Sequence, residues 1–154
     1  MSEDLDQLTT EIAELARERG TVIAAAESLT SGAISSAFGR GEQASEWFAG
    51  GVVAYAERVK RDVLGVTAAS VLTAQCAREL ATGAARLLGA DVAVAVTGVG
   101  GPDPEEGLPP GTVYAAVSAG DDVTEAVWRF DGDPSAVVEQ TVRAALELVR
   151  STIA

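Results

Sequence analysis

Ser28 and Lys60 are the residues in this sequence whose types could together perform hydrolysis. The chain contains no histidine, which excludes both the Ser-His-Asp triad and the Cys-His dyad. Lysine can act as the base instead when burial or a neighbouring positive charge lowers its pKa from about 10.4 towards about 7 to 8. The two residue types therefore fit a Ser-Lys hydrolase, although the sequence does not show that the side chains touch.

The basic residues are distributed unevenly, since ten of the 11 are Arg and Lys60 is the only Lys. Arginine stays protonated, whereas lysine can supply a neutral amine as a base. A general bias against lysine that spared one position by accident would produce the same count, so composition leaves both explanations open.

Ser28 follows an apolar stretch of strand length, residues 22–26, and precedes residues 29–34, which show the pattern of a helix start. The backbone amides of residues 29–32 could then form an oxyanion hole or hold an anion. The structural alternative is that Ser28 or Thr30 caps the helix by accepting a hydrogen bond from one of its amides.

A second candidate binding segment is the loop of residues 97–111, which is rich in Gly and Pro. Gly98, Gly100 and Gly101 expose backbone amides without crowding side chains, which suits a phosphate or a nucleotide. The loop has neither the Gly-Lys-Ser/Thr of a Walker loop nor the spacing of the dinucleotide fingerprint, and a Gly/Pro loop is more often only a turn.

No metal, cofactor or disulfide is expected. Without histidine the usual zinc ligand sets cannot be assembled, and Cys76 is the only cysteine. Its place in an apolar helical pattern predicts a core residue rather than a reactive thiol. Asp103, Glu105 and Glu106 could coordinate a hard cation, but clustered acids on an acidic protein usually form a solvated face.

The net charge of −12 and the pI near 4.3 disfavour nucleic acid as a partner, because such binding depends on clustered Lys and Arg. No apolar run approaches the roughly 18 residues needed to cross a bilayer, and the acidic start does not resemble a secretory signal. We therefore expect a cytoplasmic protein with no membrane partner. The acidity also fits a host with high internal salt, which composition alone does not establish.

The apolar periodicity predicts a single domain over residues 1–154 with elements in the order α-β-α-β-α-α-β-β-β-α. Helices are expected at residues 4–19, from 29, 57–64, 74–88 and from 134, and strands at 22–26, 50–55, 92–96, 112–118 and 123–130. This alternation predicts an α/β fold, a three-layer α/β/α sandwich with a mixed, mostly parallel five-stranded sheet that has one antiparallel strand. Ligands collect beyond the carboxyl ends of strands in such sheets, where residues 27–32, 55–60 and the loop from Thr97 would meet.

Four segments resemble motifs of the CinA C-terminal domain family, in the family's order and spacing and over nearly the whole chain. The segments and the family's motifs are residues 26–32 with AES-C/L-T-G-G, 45–55 with S-x-W-F-x-G-G-V-V-x-Y, 97–102 with T-G-x-A-G-P and 109–113 with K-P-V-G-T-V. Lys60 follows Tyr55 at the family's distance of five residues.

The resemblance implies deamidation of nicotinamide mononucleotide to nicotinate mononucleotide and ammonia, in pyridine nucleotide salvage, without metal or cofactor. Ser28 would attack the carboxamide, Lys60 would accept its proton, and Tyr55 would assist the base or the ligand, through an acyl-enzyme. The residues expected to line the substrate site are Thr30, Ser31, Gly32, Ser45, Thr97, Gly98, Gly100 and Gly101. A homo-oligomer, a dimer, is also expected, because two-fold dimers are the commonest soluble oligomers.

Several positions depart from the family's motifs, namely Glu57, Gly100, Leu108, Pro134 and Val138. Pro134 and Val138 stand where the family has arginines, and the arginine at position 138 is expected to help hold the ligand. Losing such an arginine removes a charge-assisted contact worth about 1.5 to 3 kcal/mol, roughly ten- to a hundredfold in affinity. Arg143, about one helical turn further along, is a candidate replacement.

Three functions therefore remain open. The joint presence of Ser28, Tyr55 and Lys60 favours an active amidohydrolase on a pyridine mononucleotide or a related amide. The departures favour a CinA-like nucleotide-binding or assembly module without turnover, and a purely structural oligomer is the third alternative. A separate pyrophosphatase-type partner is also open, because the family often carries such an N-terminal domain.

Overall fold

The order of helices and strands along the chain is the predicted one. The computed structural model describes residues 3–154, and the elements are α1 (Glu3–Arg19), β1 (Ile23–Glu27), α2 (Ala33–Gly39), a short 3-10 helix (Ala44–Glu46), β2 (Phe48–Val53), α3 (Glu57–Leu64), α4 (Ala74–Leu88), β3 (Val92–Gly98), β4 (Thr112–Ala119), β5 (Asp122–Arg129) and α5 (Pro134–Ile153). The 3-10 helix was not predicted, because three residues are too few to show a period.

The strands form one sheet in the order β2-β1-β3-β4-β5. β1 pairs in parallel with both β2 and β3, whereas β4 pairs antiparallel with β3 and with β5. Four strands therefore run in one direction and β4 runs in the other. The predicted mixed, mostly parallel sheet with one antiparallel strand is confirmed.

Helices cover both faces of the sheet, which confirms the three layers. On one face α1, α2 and α5 pack on the inward side chains of the sheet around a core that includes Ile12, Phe38, Trp47 and Leu146. On the other face α3 and α4 pack against a surface made almost entirely of alanine. Its residues are Ala24, Ala26, Ala93, Ala95 and Ala116. Small side chains on this face let α4 lie close to the sheet.

α4 and α5 each begin with a side-chain cap. The Thr73 hydroxyl accepts a hydrogen bond from the amide of Cys76 at 3.1 Å, and the Asp133 carboxylate accepts one from the amide of Ala136 at 2.8 Å. Gly89, with φ of 62°, ends α4 in the left-handed conformation that glycine adopts without strain. Both helices begin at the edge of the sheet where β1 and β3 end.

The largest error in the predicted boundaries lies after β1. A helix was expected from residue 29, but residues 28–32 form turns and α2 begins only at Ala33. β3 is also longer than predicted, because Thr97 and Gly98 pair with Tyr114 and Val113 of β4 rather than belonging to the loop.

None of the helices in the described part of the chain combines the length and the apolar character needed to cross a membrane.

Candidate active site

The carboxyl ends of β1, β2 and β3 bring together the three segments that the sequence placed at one edge. Ala26 of β1 is level with Ala95 of β3, so that Ser28 lies two residues beyond this pair beside Thr97. On the other side, the amide of Ala54 donates to the carbonyl of Glu27 at 2.7 Å, which places Ser28 beside the segment that leads to Tyr55.

The strand order also predicts a crevice at this place. α2 leaves β1 on one face of the sheet, whereas α3 leaves the neighbouring β2 on the opposite face. Helices that leave adjacent strands on opposite faces open a gap beyond the carboxyl ends, and open α/β sheets bind ligands in such gaps. Ser28, directly after β1, lies at the mouth of the gap between β1 and β2.

The buried carboxylate of Glu27, the last residue of β1, organises the turn that follows. Its Oε1 accepts hydrogen bonds from the Thr30 hydroxyl at 2.6 Å and from the amides of Gly32 at 3.2 Å and Ile34 at 2.9 Å. Its Oε2 accepts from the amide of Ser35 at 2.8 Å. Glu27 therefore caps α2, and the prediction that Ser28 or Thr30 does so is wrong.

The hydroxyl of Ser28 is consequently left available. Ser28 is only 7% exposed, and its Oγ makes no hydrogen bond with any residue from 3 to 154. Its carbonyl accepts from the amide of Ser31 at 3.1 Å, which closes the turn. Among the described residues, the buried side-chain polar atom without a partner is Ser35 Oγ, so Ser28 Oγ keeps some solvent-accessible surface. A hydroxyl that is neither bonded within the protein nor closed off from solvent is accessible to a ligand.

Some backbone amides of the turn donate hydrogen bonds within the protein, and others have no acceptor there. Those of Ser31 and Gly32, which were predicted to be available to an anion, donate instead to the Ser28 carbonyl and to Glu27. Those of Leu29 and Thr30 have no acceptor within the described residues. The amide after a nucleophile is a common oxyanion donor in strand-turn-helix sites, so the candidate oxyanion hole narrows to these two.

Lys60 is buried at the same edge, with 3% of its surface exposed. It lies in the second turn of α3, and its Nζ donates a hydrogen bond to the backbone carbonyl of Tyr55 at 2.9 Å. Burial lowers the pKa of Lys60, because a charged amine loses its hydration there. Cys76, Glu57 and Glu105 act in the opposite direction without cancelling this effect.

Tyr55 contributes its backbone rather than its ring to this contact. The side chain is 67% exposed, while the carbonyl holds the Lys60 amine. The contact of Tyr55 with Lys60 is therefore made by its main-chain carbonyl. Contact of the Tyr55 ring with a ligand stays a prediction.

Cys76 belongs to the core beneath Lys60. It is fully buried, and burial raises the pKa of its thiol to about 11. The nearby Lys60 amine opposes this shift in part. The thiol is therefore protonated at neutral pH, as expected for a packed core residue rather than a nucleophile.

The glycine-rich loop forms the wall opposite the Ser28 turn. Thr97 is buried and its hydroxyl donates to the carbonyl of Val71 at 2.7 Å, which ties β3 to the segment before α4. A Cβ at Gly98 would lie 2.5 Å from the carbonyl oxygen of Thr112, so this glycine serves the pairing of β3 with β4. A Cβ at Gly100 would lie 3.9 Å from the Leu29 side chain, which places this part of the loop over the turn.

Two predicted binding residues are not brought into this arrangement. Ser45 lies exposed in the 3-10 helix before β2, next to Trp47, whose carbonyl accepts from the amide of Ile23 at the start of β1. This is the opposite end of the sheet, about 16 Å from the Ser28 edge for a strand of this length. Ser31 lies at the correct edge, but its side chain is exposed and its φ is 50°.

Arg143 does not take the position of a missing ligand arginine. Its guanidinium lies 3.6 Å from the carboxylate of Asp4, in a groove between α1 and α5. None of the predicted site residues lines this groove. Val138 is half-buried and packs against the α1, α2 and α5 core. The proposed replacement by Arg143 is therefore wrong.

The acidic residues of the loop are held by the protein itself. Both carboxylate oxygens of Glu106 accept from the Ser70 hydroxyl, at 3.0 and 3.1 Å, and the backbone of Glu105 exchanges hydrogen bonds with that of Leu108. Within residues 3–154 no group of three or more His, Cys, Asp or Glu side chains is placed to hold a metal ion.

Comparison with known proteins places this arrangement in a family. The family model described as "CinA C-terminal domain" matches residues 5–153. The chain belongs to the CinA family. A CinA-like protein of Geobacter sulfurreducens is 35% identical to it, in an alignment that covers 97% of this chain and 38% of the longer relative. A relative from Bacillus velezensis is 36% identical over 95% of this chain and 36% of its own length. The CinA domain thus spans little more than a third of these relatives.

Solved structures of similar length show the same fold. A CinA superfamily protein of Klebsiella pneumoniae is 34% identical and superposes with a TM-score of 0.93, with 97% of each chain covered. A CinA superfamily protein of Escherichia coli is 31% identical with a TM-score of 0.92, covering 98% of this CinA domain and 93% of that chain. The membership and the α/β fold are thus established.

Proposed function

We propose that this CinA domain is an amidohydrolase that converts nicotinamide mononucleotide to nicotinate mononucleotide and ammonia, with Ser28 as nucleophile and Lys60 as base. The observation that carries the proposal is the placement of an unpartnered Ser28 hydroxyl and a buried Lys60 amine at one sheet edge. The family is consistent with an amidohydrolase, this geometry supports the Ser/Lys chemistry, and the substrate is the one that the resemblance to the family implies.

In the first half-reaction the Ser28 oxygen forms a bond to the carboxamide carbon while its proton passes to the neutral Lys60 amine. The amides of Leu29 and Thr30 are the donors for the oxyanion. The C–N bond of the substrate then breaks, and the Lys60 ammonium returns its proton to the leaving nitrogen, which departs as ammonia.

In the second half-reaction a water molecule attacks the acyl-Ser28 ester. Lys60 takes a proton from this water and passes it to the Ser28 oxygen as the ester C–O bond breaks, which restores the Ser28 hydroxyl and the neutral amine, and the carboxylic acid product loses its remaining proton to solvent. The Tyr55 carbonyl holds the amine in place through both steps by accepting its hydrogen bond. Lysine suits this double role because burial disfavours its charged form.

A second candidate, a nucleotide-binding module without turnover, is favoured by one observation. Glu57 and Glu105 lie near enough to Lys60 to raise the pKa of its amine and so oppose the neutral form that a base requires. Stabilisation of the protein by the mononucleotide without ammonia release would support this alternative.

The experiment is ammonia release from nicotinamide mononucleotide between pH 6 and 10, at low and high salt. We expect Ser28→Ala and Lys60→Arg to lose at least about a hundredfold in kcat, since the arginine keeps its charge and cannot accept a proton. Activity of the wild type should rise with pH until Lys60 is neutral.

Matched controls are Ser36→Ala, an exposed serine of α2, and Arg86→Ala, an exposed cation of α4. Both should keep kcat within about twofold, because surface substitutions of this kind change little. Full activity of the Ser28→Ala protein would overturn the proposal, and a wild type that binds the mononucleotide without releasing ammonia would establish the binding module.

A further inference from the structure

We propose that Glu27 is a positioning residue, whose carboxylate holds the turn of residues 28–32 so that the Ser28 hydroxyl and the amides of Leu29 and Thr30 face the substrate. This proposal rests on the proposed function, because it assigns a role within the same reaction. Glu27 is distinct from Ser28 and Lys60 in that it has no exposed surface and acts only through the protein.

The Glu27 carboxylate holds the turn and the start of α2 through hydrogen bonds to both of its oxygens. Its two oxygens receive four hydrogen bonds between 2.6 and 3.2 Å, one from a hydroxyl and three from backbone amides. The donors belong to the residues on both sides of the bend between turn and helix. These bonds consequently fix the turn relative to α2 and to β1 at once.

The charge of Glu27 is balanced without a cation. No lysine or arginine within the described residues forms an ion pair with it. The positive end of α2 and the donated hydrogen bonds take that place, as helix N-termini do for anions. A buried carboxylate is costly to retain, so its presence at the residue before the nucleophile indicates a local requirement for this turn.

The same contacts exclude the N-terminus of α2 as a phosphate site. The amides of Gly32, Ile34 and Ser35 point at the Glu27 oxygens, and a second negative charge there would be repelled. The amides of Leu29 and Thr30 remain for the oxyanion because the carboxylate draws the others away from the gap. Glu27 thereby separates the donors that build the turn from the donors that meet the substrate.

Glu27→Gln is the informative substitution. Glutamine keeps the length of the side chain and one accepting oxygen, but its NH₂ group would face the donating amide of one of the same partners, and two donors cannot bond. Glu79→Gln is the matched control. The Glu79 carboxylate accepts from the Thr67 hydroxyl at 2.5 Å and from the amides of Thr67 and Ala68, in a loop that does not carry Ser28.

The test uses labelling of Ser28 by a fluorophosphonate, a reagent that forms a bond to an activated serine oxygen and releases fluoride, with Ser28→Ala as the blank. We expect Glu27→Gln to label Ser28 about ten- to a hundredfold more slowly and to lose kcat by a similar factor. KM should change by less than about threefold, and the rise of the rate with pH should keep its position because Lys60 is untouched. Glu79→Gln should label within about threefold of the wild type.

A variant that removes a single bond keeps the test decisive if Glu27→Gln does not fold. Thr30→Val deletes the hydroxyl bond at 2.6 Å to Glu27 and should slow labelling about tenfold, and Thr30→Ser should restore it. The proposal is overturned if Thr30→Val or a folded Glu27→Gln labels as fast as the wild type, or if wild-type Ser28 does not label at all. It is also overturned if the Glu79→Gln control slows labelling to the same degree. A wild type that labels Ser28 but releases no ammonia would refute the proposed substrate and leave the role of Glu27 intact.

Discussion

At the scale of single residues, the site depends on a lysine that the fold keeps away from water. Lys60 is buried near Cys76, and a hydrogen bond to the Tyr55 carbonyl holds its amine. Such burial disfavours the charged form that lysine has in the unfolded chain. The protein therefore loses stability at neutral pH, and in the proposed mechanism this loss supplies a usable base, a common trade between stability and activity.

This trade predicts that Lys60→Met raises the melting temperature at pH 7. Because the pKa of Lys60 is lower in the folded state than its ordinary value of 10.5, the unfolded chain binds more protons between the two values, and wild-type stability rises with pH across that window. The gain from Lys60→Met should thus be largest below the folded pKa and shrink as the pH approaches 10.5. Thermal unfolding from pH 6 to 10.5 measures it, and a gain that grows with pH would contradict the direction of the shift.

Some residues of the candidate site were predicted from the sequence, and one was missed. The edge that unites Ser28, Lys60 and Thr97 was predicted correctly, because strand and helix periods place Ser28 and Lys60 after strands and Thr97 at the carboxyl end of another. The role of Glu27 was missed, since a glutamate before a polar turn looks like a surface residue until α2 turns its amides back towards it. A glutamate that ends a wholly apolar strand was the signal that could have indicated burial.

At the scale of elements, the approach of α3 to α4 decides where Lys60 lies. Gly83 of α4 is buried, and a Cβ there would overlap the backbone carbonyl of Leu64 at the end of α3. Only glycine permits this distance between the two helices. The position of α3, and with it the depth of Lys60 in the protein, thus depends on the absence of one methyl group.

Gly83→Ala should therefore reduce both stability and activity. Pushing α3 outward costs about 1 to 3 kcal/mol in a packed core and moves the Lys60 amine away from the Ser28 edge. Thr82→Ala, at the exposed neighbouring position of α4, is the control and should leave the free energy of unfolding within about 0.5 kcal/mol. Urea unfolding together with kcat measures the pair of effects. A Gly83→Ala protein as stable as the control would show that α3 moves at no cost.

Element boundaries also explain the errors concerning binding residues. Ser45 was grouped with Tyr55 because both belong to one sequence motif, but the intervening strand β2 carries them to opposite ends of the sheet. Arg143 was assigned by its distance along α5, whereas its direction around the helix axis leads it to Asp4 of α1. The spacing of residues in the sequence predicts how far apart they lie along a helix or strand. It does not predict which end of the strand or which face of the helix lies near the site, because tertiary packing determines that.

At the scale of the whole molecule, the charge of −12 opposes the compact state. Several acidic side chains lie exposed and form no ion pair within residues 3–154, including Glu18, Asp62 and Glu139. Like charges on a compact surface repel one another over the Debye length, which falls from about 30 Å at 0.01 M salt to about 3 Å at 1 M. The stability of the folded state should therefore increase with salt concentration, because salt screens this repulsion.

The melting temperature should accordingly rise by several degrees between 0.01 M and 1 M NaCl, because screening removes repulsion that the unfolded chain spreads over a larger volume. A triple variant, Glu18→Gln, Asp62→Asn and Glu139→Gln, should start higher at low salt and respond less. Differential scanning calorimetry of both proteins measures the response. A melting temperature that falls with salt would mean that attractive ion pairs on the surface outweigh the repulsion.

The antiparallel course of β4 has a consequence for how this molecule can change over generations. Gly98, where β3 ends, pairs with Val113 near the start of β4, so the segment between them leaves the sheet and returns to the same place. Closing a longer loop between neighbouring ends costs only about 0.6 kcal/mol for each doubling of its length. Insertions and deletions can therefore reshape the wall opposite Ser28 while β1, α3, Ser28 and Lys60 stay where they are. The ligand preference of the proposed site can thus change in this segment without a new fold.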